Sequence, residues 1–235
     1  IDFNEHFKKA LLLMEDTEKN VFVTGRAGTG KSTLLTYFRE HTKKQVAILA
    51  PTGVAAVNVR GQTIHSFFKF KPNITLGLVR KKFSQDNEKN IYAKLDAIVI
   101  DEISMVRADL LDCVDKFLRL NGPHGNRPFG GIQMIFIGDL YQLSPVVTTN
   151  ERDIFKTHYK TPYFFGAHAF KNLEMEMVEL ETIYRQKDDD FIRLLNAVRN
   201  NSITEIGLEH LNRRTDIAFE PPPHELYIYL TSTND

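Results

Sequence analysis

Residues 25 to 32 read Gly-Arg-Ala-Gly-Thr-Gly-Lys-Ser, a complete G-x-x-x-x-G-K-S/T pattern. The apolar run Val21-Phe22-Val23 precedes it and Thr33-Leu34-Leu35-Thr36-Tyr37-Phe38 follows. That setting commits the chain to a strand, a tight loop and a helix in succession. Gly25, Gly28 and Gly30 allow the backbone to wrap closely round phosphates, with amide N–H groups pointing inward at the start of a helix. Lys31 is placed to neutralise β- and γ-phosphates, and the Ser32 hydroxyl to ligate Mg²⁺. The segment Gly25-Arg26-Ala27-Gly28-Thr29-Gly30-Lys31-Ser32-Thr33 is therefore the candidate site for a nucleoside triphosphate, taken as ATP with Mg²⁺.

The rest of the chain extends this start into an α/β pattern. An amphipathic helix is expected over Glu5–Glu15, then strands over Val21–Thr24, Val46–Ala50, Ala97–Ile100 and Gln133–Ile137. Helical spacing of Val106, Leu110, Leu111, Val114, Phe117 and Leu118 predicts a helix after the third of these strands, and Phe191–Val198 a later one. Four glycines and two prolines make Asn121–Gly131 a loop. The triplet Pro221-Pro222-Pro223 precedes an expected last strand, Leu226–Leu230. Short, almost continuous apolar strands alternating with helices argue for a mainly parallel sheet covered by helices on both faces. Four polar clusters, TGRAGTGKS, APTG, DEIS and GDLYQLSP, each follow a strand. Ligands of open α/β sheets bind beyond the carboxyl ends of the strands, so all four are expected to meet in one crevice.

Composition narrows the class. In 235 residues, 30 Lys and Arg balance 30 Asp and Glu, so bulk charge favours no polyanionic partner. The charges are uneven, with a basic stretch from Lys69 to Lys94 and an acidic one from Glu174 to Asp190. Cys113 is the only cysteine, and the eight histidines form no ligand pattern, which argues against disulfides and a structural metal. No apolar run approaches membrane-spanning length and no signal peptide is evident, so the reading is soluble, intracellular and without a membrane partner. The first residue is Ile1 rather than Met, which suggests a piece of a longer protein.

Asp101 and Glu102, after a hydrophobic strand, suit Mg²⁺ coordination and activation of the attacking water respectively. As an alternative, such a pair is a polar strand end or helix cap, a role that Ser104 would fill better. Gln142 has a neutral head that both donates and accepts, which suits sensing of a γ-phosphate or water, although a plain loop glutamine is the simpler reading. Arg185 could act as an arginine finger or form a surface ion pair. Thr52 and Gly53 offer a hydroxyl and N–H groups to a phosphodiester. In Gln62-Thr63-Ile64-His65-Ser66-Phe67-Phe68, His65 could hydrogen-bond to single-stranded nucleic acid and Phe67 could stack on a base, although paired phenylalanines are more often core.

In this order, FVTGRAGTGKST, APTGVAAVNVRGQTIHSFF, DEISMV, RPFGGIQMIFIGDLYQLSPV and ELETIYRQKDDDFIRLLNAVRN resemble the PIF family of superfamily 1 DNA helicases, with RecD-like helicases more distant. The resemblance implies a RecA-like domain, here residues 1–225, that couples ATP hydrolysis to 5′-to-3′ movement on single-stranded DNA. By position it implies catalytic roles for Lys31, Asp101, Glu102, Gln142 and Arg185, with Ser32 and Asp101 at Mg²⁺. It also implies DNA contacts at Thr52, Gly53 and His65. Residues 69–95 fall where the family carries an accessory insertion, too short here to favour a duplex-splitting wedge. His6 stands near the family's adenine-reading Gln, and Ser144 replaces a proline. Residues 226–235 look like the start of a second RecA-like domain, the expected partner in the motor. Two other readings remain: an AAA+ or phosphotransferase-type ATPase acting on protein or a small molecule, and a non-catalytic nucleotide-binding module. A GTPase is disfavoured by the lack of an N-K-x-D segment. A monomer is expected, in a bacterial cytoplasm or, for a eukaryotic source, the nucleus or mitochondrion.

Overall fold

A computed structural model describes residues 3–82, 88–184, 186, 188–222 and 224–228. The chain divides into two units, residues 1–186 and 187–235. The first unit opens with helix α1 (Glu5–Glu15), whose N-terminus is capped by the Asn4 side chain accepting from the Phe7 amide. Strand β1 (Asn20–Gly25), helix α2 (Lys31–His41) and strand β2 (Val46–Ala50) follow. The aperiodic Phe- and Lys-rich stretch folds into short pieces: α3 (Gly53–Asn58), β3 (Gln62–Thr63) and α4 (Ile64–Phe68). Then come β4 (Ala97–Ile100), α5 (Ala108–Asn121), β5 (Gln133–Ile137), α6 (Arg152–His158) and β6 (Met175–Leu180).

Among the described residues the strands make one six-stranded sheet in the order β3-β2-β4-β5-β1-β6, and every pairing is parallel. Such a sheet must be covered on both faces, because parallel strands joined by helical crossovers bury both sides. The alternation along β1 follows this rule. Val21 and Val23 pack with α1 and α2 through Phe7, Leu34 and Phe38. Phe22 packs on the opposite side, with α4 and α5 through Phe68, Val114 and Phe117.

A polar lock closes the lower end of the sheet. Lys44 Nζ donates to Met14 O at 2.7 Å, Thr17 O at 2.6 Å and Gln133 Oε1 at 2.7 Å. Gln133 Nε2 in turn donates to Leu13 O and Lys19 O. The described part of residues 69–95 straps α5: Lys116 Nζ reaches Leu76 O, Asn121 Oδ1 accepts from Lys82 N, and Val79 and Tyr92 are buried in the core. Lys82 of the basic stretch, although exposed, thus sets its ammonium over the Phe117 ring.

The second unit holds α7 (Asp189–Arg199) and α8 (Glu205–Asn212), neither of which buries a residue. The strand expected over Leu226–Leu230 is a correction: residues 226–228 belong to no strand and the remainder lies outside the described residues. An apolar run needs a neighbouring strand for its backbone hydrogen bonds, and none pairs with 226–228 here.

Candidate functional site

The loop after β1 owes its shape to Gly25, which has φ +149°, and whose hypothetical Cβ would stand 2.5 Å from Leu180 O and 2.7 Å from Thr29 Oγ1. Only glycine lets β1 run this close to β6 and then turn. The loop is braced from within. Thr29, buried, donates its hydroxyl to Arg26 O at 2.9 Å, while Lys31 Nζ donates to Gly25 O at 2.6 Å and Arg26 O at 3.0 Å. From outside, Tyr184 N donates to Gly28 O at 2.8 Å. The Tyr184 hydroxyl accepts from Asn4 Nδ2 at 3.1 Å, so the tyrosine links the start of α1, the exit of β6 and the phosphate loop.

These elements enclose a cavity of about 420 Å³ lined by the phosphate loop from Ala27 to Thr33, by Glu102 and Gln142, and by Phe7 and Tyr184. Three of the four expected clusters therefore converge. The APTG cluster does not line this cavity, a correction that follows from strand order: β4, β5 and β1 are adjacent, whereas β2 stands one strand further out.

β4 delivers the acidic pair. Asp101 is 8% exposed, and its amide continues the ladder by donating to Leu49 O at 2.9 Å. Burial, then the neighbouring Glu102 charge, pushes its carboxyl up to about 6, against the opposing pull of Lys31. Glu102 has φ +50°, a left-handed conformation that non-glycine residues rarely adopt. Ser104 caps nothing. It sits inside the 3₁₀ turn Ile103–Met105, fully buried, its hydroxyl without a hydrogen-bond partner among the described residues.

β5 delivers the last wall. Gln142 is exposed, and its Nε2 donates to Asp139 Oδ2 at 3.0 Å. Asp139 is 1% exposed and also accepts from Tyr141 N at 3.1 Å through Oδ1. Sequence reasoning missed Asp139, Phe7 and Tyr184. The signal for Asp139 was its place in GDLYQL beside Gln142, and for Tyr184 its place in ETIYRQ. Arg185 lies outside the described residues, and His6 is absent from the cavity lining.

The candidate nucleic-acid residues form a separate group beyond β2 and β3. Thr52 caps α3, its hydroxyl accepting from Ala55 N at 3.2 Å, and Gly53 is the first residue of that helix. Val54 and Val57 of α3 are each 75% exposed. His65 is half-buried, and burial pulls its imidazole below the usual range. It borders a second cavity, of about 630 Å³, walled also by Arg107, Phe155 and Tyr159. Phe67 is a correction. At 8% exposure its ring packs edge-on against Phe68 and Tyr92, so it is core and presents no open face to a base.

For metal binding, Ser32 and Asp101 are hard oxygen donors of the kind Mg²⁺ takes. Among the described residues no group of three or more His, Cys, Asp or Glu could hold a metal by itself.

A parallel α/β sheet with a phosphate loop after β1 and an acidic pair after β4, the two strands separated by β5, defines the RecA-like class of phosphate-loop proteins. Residues 4–207 match the family model described as PIF1-like helicase, and the chain belongs to that family. It is 35% identical over 230 residues to the ATP-dependent DNA helicase RRM3 of Saccharomyces cerevisiae, covering 94% of this chain and 31% of that protein. A Pif1 helicase from Bacteroides, crystallised with ADP-AlF3 and single-stranded DNA, superposes with a TM-score of 0.84 at 38% identity, covering 95% of this chain and 52% of that one. A structure of two coordinating Pif1 helicases unwinding forked double-stranded DNA matches with a TM-score of 0.80, at 38% identity, over 92% of this chain and 52% of that one. The chain thus spans between about a third and about half the length of these relatives.

Proposed function

We propose that this chain is the nucleotide-binding and hydrolysing domain of a PIF-like 5′-to-3′ DNA helicase, which in the full-length protein couples ATP turnover to movement on single-stranded DNA and to duplex unwinding. One observation carries the reading: Lys31, Ser32, Glu102 and Gln142, from three separate segments, line a single cavity. In this reading the loop amides and Lys31 hold the phosphates, and Glu102 orients and deprotonates the attacking water. Gln142 senses the γ-phosphate. Phe7 and Tyr184 offer the base an aromatic wall, and Arg185 supplies positive charge to the transition state. Ser32 and Asp101 would hold Mg²⁺, which neutralises phosphate charge when bound. The relative crystallised with ADP-AlF3 and single-stranded DNA supports both ligand classes.

Thr52, Gly53 and His65 belong in this account to the DNA path, outside the nucleotide cavity. Residues 1–225 form the first motor domain, with 69–95 as its insertion, and residues 226–235 lead into a second RecA-like domain whose closure over ATP completes the cycle. The free protein is read as a monomer, working wherever its cell keeps DNA: a bacterial cytoplasm, or a nucleus or mitochondrion.

Steady-state ATP hydrolysis by the full-length protein, with and without single-stranded DNA, tests the proposal. DNA should stimulate turnover, and Glu102→Gln should keep nucleotide binding while cutting turnover by at least about a hundredfold. Turnover indifferent to DNA would move the substrate to protein or a small molecule. Unchanged turnover in Glu102→Gln would favour a non-catalytic module.

A further inference from the structure

β5 is buried along its whole length, and Gly138 extends its ladder by donating to Val23 O at 3.1 Å. There the backbone is squeezed against the turn that follows Glu102. A Cβ on Gly138 would stand 2.9 Å from Ile103 Cγ2 and 3.1 Å from Ile103 N. The next residue, Asp139, therefore leaves a rigid platform that is shared with the acidic pair. Its side chain turns back into the protein and organises the loop beyond: Oδ1 accepts from Tyr141 N, its backbone oxygen accepts from Gln142 N at 3.0 Å, and Oδ2 accepts from Gln142 Nε2.

The geometry points to Asp139 as a positioning residue for nucleotide hydrolysis, acting through Gln142. This inference rests on the proposed role of Gln142 in that reaction. An ionised carboxylate only accepts hydrogen bonds, and in the Gln142 head only the nitrogen donates. The pairing therefore settles which end of the amide faces Asp139. It leaves Oε1, the head's sole acceptor, and the second Nε2 hydrogen for the cavity that Gln142 lines. An acceptor can orient a water and a donor can meet a phosphate oxygen. An unrestrained, exposed glutamine would present either end at random and lose rotamer entropy on each engagement. Asp139 removes that freedom beforehand, which is the advantage of preorganised polar groups.

The test is a double-mutant cycle in the full-length protein with single-stranded DNA present, using Asp139→Asn, Gln142→Ala and both together. A hydrogen bond to a charged group converts to about a ten- to hundredfold loss of kcat for either single variant. Affinity for a fluorescent ATP analogue should stay within about threefold, and the double variant should be no slower than Gln142→Ala alone. Multiplying losses, or a kcat for Asp139→Asn equal to that of the unaltered protein, would overturn the inference. If Asp139→Asn does not fold, Gln142→Glu probes the same bond from its exposed side. It cannot donate to Asp139 and should be at least as slow as Gln142→Ala, and normal turnover in it would overturn the inference equally. Absence of DNA-stimulated hydrolysis in the unaltered protein is a different result, which defeats the proposed function itself.

Discussion

Gly130→Ala isolates what the Pro128-Phe129-Gly130-Gly131 segment does. Gly130 has φ +66°, and an added Cβ would stand 2.5 Å from Leu118 O, 3.0 Å from Leu118 C and 3.4 Å from Gly122 Cα. Real Cβ atoms do not approach a backbone oxygen so closely, so the chain must move. The oxygen it meets already accepts the bond that ends α5, from Gly122 N at 2.7 Å. Moving Leu118 O weakens that bond, worth about 1 kcal/mol. The left-handed backbone adds about 1 kcal/mol for an alanine. Crowding in a packed region adds about 1–3 kcal/mol, and the stiffer unfolded chain returns about 0.5 kcal/mol. The net expected loss is about 3 kcal/mol, or about 6–12 °C in Tm for a domain of this size. Gly77→Ala is the control, because the nearest atom to its added Cβ is Thr75 Oγ1 at 3.9 Å, and its Tm should move by less than about 2 °C. Thermal denaturation followed by circular dichroism reads both. Nucleotide affinity of Gly130→Ala well below its Tm should be unchanged, since the segment precedes β5 and the cavity lies beyond it. A Gly130→Ala protein melting within about 2 °C of the unaltered one would refute this steric account.

Asp112, almost fully buried, accepts from Tyr159 Oη at 3.0 Å and from the amides of His168 and Ala169 at 3.1 and 2.9 Å. Asp112→Asn turns a donor toward these donors and should cost about 2–4 kcal/mol in urea denaturation, and a loss below about 1 kcal/mol would contradict that role. Acid should weaken the protein at Glu151, whose carboxyl is held down at about 2, first by the Thr148 hydroxyl and then by Arg107. A lowered folded-state value means that this stabilisation is complete above the ordinary carboxylate value of 4.5 and lost as pH falls toward 2. Because the side chain is about a third exposed, screening leaves about 1 kcal/mol. The stability gap between the unaltered protein and Glu151→Gln should close over that interval, and a gap independent of pH would exclude the mechanism.

The contrast between what the sequence revealed and what it hid follows from how each residue is constrained. Val46–Ala50, Ala97–Ile100 and Gln133–Ile137 were readable to the residue because both faces of these inner strands are buried, leaving unbroken apolar runs between polar ends. β6 was not, because it is an edge strand paired only with β1, and Glu176, Met177 and Glu179 lie toward solvent. Its acids read as part of a charged run. α3 and α4 span six and five residues, too few for a helical period to register. The phosphate loop was legible because local backbone geometry dictates glycine at positions such as Gly25, and the acidic pair because it directly follows the buried apolar strand β4. Phe67 stayed open between base platform and core for the opposite reason. A half-polar, half-aromatic segment has the same pattern whether its rings face a ligand or the interior. The choice is made by Tyr92, whose hydroxyl donates to Phe67 O at 2.9 Å while its ring meets that of Phe67. Asp139 belongs to this second kind as well. A lone acid in a loop carries no local signature, and its meaning arises only when burial removes water as its partner and the fold brings donors such as Tyr141 N and the Gln142 amide to it. Side chains defined by their own backbone can be read from sequence, whereas those defined by a partner become visible only once the fold supplies that partner.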